Sequence, residues 1–136
     1  MITETMYWMG RDSKYRAWWT EEIQENGHET IRRVNLLLDK FLAANPSDTE
    51  EEYGVASGWR PAAVNQATPG AASKSKHISA QACDIKDPEG ALDDWCLEHH
   101  EVLEEIGLWQ ESPTATKGWC HVQIVPPRSG RRVFLP

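Results

Sequence analysis

The sequence predicts an α+β fold, a small antiparallel sheet flanked by helices. Two stretches, near 31–42 and 92–106, repeat apolar residues at helical spacing. Four short stretches read as strands: Tyr53–Ser57, Ala80–Ile85, Leu108–Glu111 and Trp119–Val125. Helices and strands do not alternate regularly, which argues against a parallel α/β sheet. With 136 residues the chain makes one domain, long enough to bury a core and too short for two.

Residues 1–27 are rich in aromatic and charged side chains and read as an N-terminal extension packed on the domain, with a short helix expected around Lys14 to Glu25. His28 looks like a helix-start residue without a partner. From Glu29, the residues Ile31, Val34, Leu37, Leu38, Phe41 and Leu42 form one apolar stripe, with Arg32, Arg33, Asp39 and Lys40 off it. Pro46 stops that helix, and the acidic run Asp48 to Glu52 reads as a solvated loop. Pro61 to Ser75 is a long segment of Ala, Gly, Pro and Ser, a kind of loop that often serves function. After the strand at Ala80–Ile85 comes the turn Lys86 to Gly90. A second helix then buries Leu92, Trp95, Val102, Leu103 and Ile106, capped by Gly107 with Leu108 as its apolar contact. The last two strands are expected to pair antiparallel around the loop Ser112 to Gly118.

A hydrophobic fraction of 40% is ordinary for a globular protein and excludes disorder as the main state. A formal net charge of −7 argues against nucleic acid as a partner and offers nothing to an anionic membrane. No apolar run approaches the roughly 20 residues of a membrane span, and the N-terminus lacks the basic start and apolar run of a signal peptide. The expectation is a protein made in the cytoplasm without an export signal of its own, and a monomer. Cys83, Cys96 and Cys120 have no CxxC spacing and fit reduced, buried thiols.

The chemistry concentrates in two places: Ser75 to Asp84, and Trp119 to Gln123. Two imidazoles and a carboxylate, from His77, Asp84 and His121, suit Zn²⁺, and three protein ligands leave a fourth position open, as catalytic sites do. Strand alternation supports the grouping. Ala82 and Asp84 share a face opposite Cys83 and Ile85, while His121 and Gln123 share a face opposite Cys120, Val122 and Ile124. On neighbouring strands, Asp84 and His121 would converge. Spacing alone is a weak signal, since a His and an Asp seven residues apart are common in proteins without metal. The run His100 to Glu104 begins like HExxH, but its fifth residue is Glu. His99 and His100 are expected on the exposed side of their helix.

Ser75-x-His77 followed by Asp84 resembles the Ser-x-His-x-x-Gly-x-Ala-x-Asp motif of zinc D-Ala-D-Ala carboxypeptidases. That family includes phage endolysins that cut L-Ala-D-Glu bonds and shares its fold with the hedgehog signalling domain. Ser57-Gly58-Trp59-Arg60-Pro61 resembles the element preceding the motif, and Trp119-x-His121 the element carrying the last ligand. The helix around Val34 to Leu37 and the ending Pro126 to Gly130 resemble the phage-type single-domain members. The resemblance runs from about residue 29 to 136 and implies a hedgehog/DD-peptidase fold, one zinc ion on His77, Asp84 and His121, and a peptidoglycan stem peptide as substrate. It also implies a phage or prophage lysis protein that acts at the cell wall after release, or is carried in a particle.

The sequence departs from the motif twice. Ala80 stands where the motif has glycine, a mild change in extended backbone and a damaging one at positive φ. Gly118 stands where many members carry the catalytic Glu, three residues before the final His. Glu111 is the best replacement, because antiparallel pairing would bring it beside His121; otherwise it is an exposed residue at a hairpin end. The resemblance gives Arg60 the role of binding a substrate carboxylate or the oxyanion, against a surface Arg before Pro61. Ser75 would contact substrate or hold the His77 loop, and Gln123 would contact substrate or support the ligands. The rival reading is a non-catalytic zinc module that binds wall peptide or a protein partner.

Overall fold

The computed structural model describes residues 1–136. Its backbone is one long helix laid against a five-stranded sheet, with shorter helices before and after it in the chain. In chain order the elements are α1 (Glu4–Trp8), α2 (Arg11–Lys14), α3 (Glu21–Ala44), β1 (Val55–Ser57), α4 (Ala62–Ala67), β2 (Ala82–Asp87), α5 (Ala91–Glu98), α6 (His100–Ile106), β3 (Trp109–Glu111), β4 (Gly118–Gln123) and β5 (Val133–Phe134). The sheet order is β1-β2-β4-β3-β5. Three of its pairings are antiparallel, as expected, but β5 pairs parallel with β3, so the sheet is mixed.

The first long helix begins eight residues earlier than its apolar stripe suggests. Thr20 caps it, its hydroxyl accepting the Ile23 N–H at 3.2 Å, and Glu21 and Glu22 face the positive end of its dipole. The expected helix at Lys14 to Glu25 is therefore two things: the short α2 with a single 3₁₀ turn, then the start of α3. Gly27 lies inside α3 because the Trp8 ring packs there; a Cβ would sit 2.3 Å from that ring. His28 is likewise mid-helix and exposed, and its partner is Glu4. Asn45, held out of the helix by Pro46, ends it and returns its amide to the Phe41 carbonyl.

Val34, Leu37, Leu38 and Phe41 of α3 share one buried core with Cys83 and Ile85 of β2 and Cys120 and Val122 of β4. Each such apolar side chain stabilises the fold by about 1.5–3 kcal/mol on full burial. All three cysteines are free and buried. The acidic run forms a 3₁₀ turn at Glu50–Tyr53 rather than an open loop, closed by a capping box between Thr49 and Glu52. Part of the Ala/Gly/Pro-rich stretch forms the short α4.

The second predicted helix breaks at His99, whose φ of −129° leaves helical space. Its ring stacks on Trp95 at 4.1 Å and is half-buried, whereas His100 is exposed. Gly107, at φ 88°, ends α6 as expected, and the Leu108 N–H closes on the Leu103 carbonyl at 2.9 Å. No helix is long and apolar enough to cross a membrane.

Candidate metal centre

Register places two of the three candidate ligands. In the β2–β4 ladder Asp84 lies directly opposite His121. Side-chain alternation then sends both to one face, while Cys83, Ile85, Cys120 and Val122 turn to the core with no exposure. Asp84 Oδ1 and His121 Nδ1 stand 2.8 Å apart. The other ring nitrogen of His121, Nε2, is 3.0 Å from the Gln123 amide oxygen. That oxygen can be assigned because the Gln123 NH₂ donates to the Val125 carbonyl at 2.9 Å. Nε2 of His121 therefore carries the proton.

This leaves a lone pair of His121 Nδ1 facing a carboxylate oxygen, a contact that needs a cation between them. Without metal a second proton serves. Burial works to lower the His121 pKa, but the hydrogen bond and charge of Asp84 prevail and raise it. Burial would likewise raise Asp84, yet the nearby imidazoles of His77 and His121 and the hydrogen bond to His121 hold its carboxyl well below the usual range.

His77 comes from irregular chain. Its Nδ1 donates to the Gly58 carbonyl at 2.7 Å, since a carbonyl only accepts, and this fixes Nε2 as the free nitrogen. Nε2 is buried, lies 3.2 Å from Asp84 Oδ2 and makes no hydrogen bond. Burial lowers the His77 pKa, which keeps the ring neutral. The three potential ligand atoms of His77, Asp84 and His121 lie within 4.8 Å of one another. An orphaned buried imidazole nitrogen, a second imidazole nitrogen facing a carboxylate, and a backbone carbonyl and an amide behind the rings all fit a divalent zinc ion.

Around these ligands stand the other residues singled out by sequence. Glu111, at the end of β3, is half-buried with Oε2 4.0 Å from His121 Nδ1. Burial pushes its pKa up. Gly118 has φ 102°, a conformation in which a Glu side chain would be strained, and no acid arises there. Arg60 follows β1. Its backbone N–H donates to the His77 carbonyl at 3.0 Å and its Nη2 donates to Ser75 Oγ at 3.2 Å. Burial lowers its pKa, against the pull of Asp84 and Glu111. Its buried Nε has no partner. Ser75 Oγ also accepts the His77 N–H at 3.2 Å, so the hydroxyl ties Arg60 to the ligand loop. Gln123, of the two roles open to it, stands behind His121 with both ends of its amide engaged.

Ala80 does adopt positive φ, 59°. Its carbonyl accepts from the Thr30 hydroxyl at 2.8 Å and its N–H donates to the His77 carbonyl at 3.2 Å. Left-handed backbone costs an alanine about 1–2 kcal/mol, and here the surrounding bonds hold it. Two neighbours of the site escaped sequence reading. Gly58 supplies the carbonyl behind His77, and Phe134 of β5 sets its ring edge-on to His121 at 6.1 Å. Gly58 stood in a motif, and the motif does not say that its carbonyl is the functional atom. A two-residue strand leaves no periodicity to read.

The remaining buried polar groups belong to the scaffold. Asp87 accepts the Leu92 and Asp93 N–H groups and so caps α5. Asp93 accepts from Gln110 and Thr116.

Comparison with curated proteins and with solved structures yields no match. The family model described as peptidase M15 matches residues 23–122, a span that contains all three candidate ligands, Arg60, Ser75 and Glu111. On that match across most of its length, the chain belongs to peptidase family M15, the zinc D-Ala-D-Ala carboxypeptidases.

Proposed function

We propose that the protein is a zinc-dependent hydrolase of peptide bonds in the peptidoglycan stem, acting as a D-Ala-D-Ala carboxypeptidase or an L-Ala-D-Glu endopeptidase. The observation that carries this reading is Glu111, a half-buried carboxylate 4.0 Å from a ring nitrogen of a three-ligand set. His77 Nε2, a carboxylate oxygen of Asp84 and His121 Nδ1 would hold the metal. When bound, zinc supplies Lewis acidity at this point, acidifying water and polarising a carbonyl.

Glu111 accepts the proton of the attacking water and later delivers it to the leaving amine. Burial favours its neutral form, which brings its affinity for a proton closer to that task. Arg60, steadied by Ser75, offers its guanidinium to a substrate carboxylate or to the negative charge that develops on the carbonyl oxygen. Gln123 and the Gly58 carbonyl hold the two rings so that their free nitrogens converge. A phage or prophage lysis protein, reaching the wall after the membrane opens, is the setting this activity suits.

The test is zinc-loaded protein incubated with peptidoglycan, with the soluble products weighed by mass spectrometry. Stem-peptide fragments that vanish on chelation are expected, and their masses name the bond. Glu111→Gln should lower turnover about 10²–10⁴-fold while zinc stays bound. Intact peptidoglycan of several wall types, from protein holding one zinc, would replace this reading with a zinc module that binds wall peptide or a protein partner.

A further inference from the structure

The residues before the family span do more than cover the core. Four contacts run from them onto the Gly58–Arg60 peptides. The Gly58 N–H donates to the Met9 sulfur at 3.5 Å. Arg11 Nη1 donates to the Trp59 carbonyl at 2.8 Å. The rings of Trp8 and Trp59 meet edge to face at 5.9 Å. The Tyr7 backbone lies so close that a Cβ on Gly58 would stand 2.0 Å from the Tyr7 carbonyl oxygen.

From the other side of those peptides, the Gly58 carbonyl takes the His77 Nδ1 proton at 2.7 Å and the Arg60 N–H meets the His77 carbonyl at 3.0 Å. Met9 also has φ 57°, a left-handed conformation seldom taken without glycine, and it occurs where the chain turns to bring the sulfur onto Gly58. Tyr7 donates its hydroxyl to the Ala82 carbonyl at 2.8 Å, two residues before Asp84. None of these N-terminal residues falls within the matched span 23–122.

We propose that residues 7–11 are a positioning clamp that fixes the Gly58 carbonyl and thereby the tautomer and direction of the His77 ring. Groups that orient a metal-binding imidazole change metal affinity by about 10–100-fold, and the clamp acts one contact further out. The proposal rests on the zinc reading for its affinity arm alone.

The test uses the full chain with Met9→Ala and Arg11→Ala combined. In the zinc-free protein, ¹⁵N NMR of the His77 ring should show a Nδ1–H tautomer that the double variant weakens. Zinc affinity, read by competition with a chelator, should fall about tenfold, near the lower end of that range. Arg11→Lys, which keeps a donor for the Trp59 carbonyl, should retain most of the affinity. Phe41→Leu, in the core and making none of these contacts, should lower the melting temperature and leave both readouts unchanged.

An intact His77 signal together with unchanged zinc affinity in a folded double variant overturns the clamp. If the double variant does not fold, Met9→Leu keeps the apolar bulk, removes the sulfur acceptor and is read in the same way. Unaltered protein that takes up no zinc refutes the zinc reading, while the NMR signal still decides the clamp.

Discussion

Asp84 and His121 reach the site from neighbouring strands, whereas His77 reaches it from a stretch of chain with no repeating structure. The strand pair is set by register: once Ala82 pairs with Gln123, Asp84 must face His121. A one-residue slip of β2 would turn Cys83 and Ile85 outward and Asp84 into the core, so the apolar face of the sheet protects the geometry of its polar face. His77 has no such protection. Its place depends on single contacts, namely the Gly58 carbonyl, the Ser75 hydroxyl and the two backbone bonds that its own carbonyl accepts from Arg60 and Ala80. One side of the site thus inherits its accuracy from the fold, and the other must be built bond by bond.

The largest effect should come from the strand side. Asp84→Asn removes the charge that both imidazoles face, and zinc affinity, titrated against a chelator, should fall more than a hundredfold, beyond the range seen for supporting groups. Near-normal zinc affinity in that variant would mean that the metal sits elsewhere. On the loop side, Gly58→Ala forces a methyl into the Tyr7 carbonyl and should cost about 1–3 kcal/mol of stability in chemical denaturation. It should also loosen zinc, whereas Gln123→Leu should loosen zinc at a smaller cost in stability. If both variants lose stability equally, the contrast between the two sides disappears.

The response to pH sharpens the strand pair further. In the zinc-free protein the raised His121 pKa adds stability that is complete below its unfolded value of about 6.5 and fades as pH rises through the folded value. Asp84 is depressed, so its contribution is complete above about 3.9 and fades as pH falls through its lower folded value. The pair should therefore stabilise the zinc-free protein most between about pH 4 and 6.5. Zinc replaces the shared proton, so the stability it adds should grow as pH rises past that window. Melting curves with and without zinc that shift in parallel across pH would contradict this exchange.

The smallest effect is expected at Ala80. Glycine would relieve about 1–2 kcal/mol of left-handed strain but lose about 0.8 kcal/mol of methyl burial and about 0.5–1 kcal/mol to the freer unfolded chain. Ala80→Gly should thus melt within a few degrees of the parent, while Ala80→Val should melt well below it.

The same division explains what could be read from sequence. Alternation along Ala82–Ile85 and Cys120–Gln123 shows which residues share a face, so Asp84 and His121 can converge if their strands are neighbours, but a period of two does not say that they are. His77 has no period around it and stands out only through the likeness of Ser75-x-His77 to a family motif. The start of α3 was hidden because Gly27 interrupts the helical pattern for the sake of Trp8, a partner far off in sequence. The break at His99 was hidden because the residues around it keep helical spacing on both sides. Glu111 sits where antiparallel pairing implied, yet β5 beside it, two residues long, gave no signal.

That late strand has a consequence for how the protein is made. β5 pairs with the strand that carries Glu111: the Gln110 and Ser112 N–H groups donate to the carbonyls of Arg132 and Phe134 at 2.8 and 2.7 Å. A ribosome delivers the chain from its N-terminus, so His77 and Asp84 emerge well before the residues that anchor Glu111 and cover His121. A nascent chain can fold most of its core with the hydrolytic apparatus still unfinished. The polar face of the sheet is thus completed only once β5 has been made, and a product ending before β5 would carry His77, Asp84 and His121 without the strand that backs Glu111.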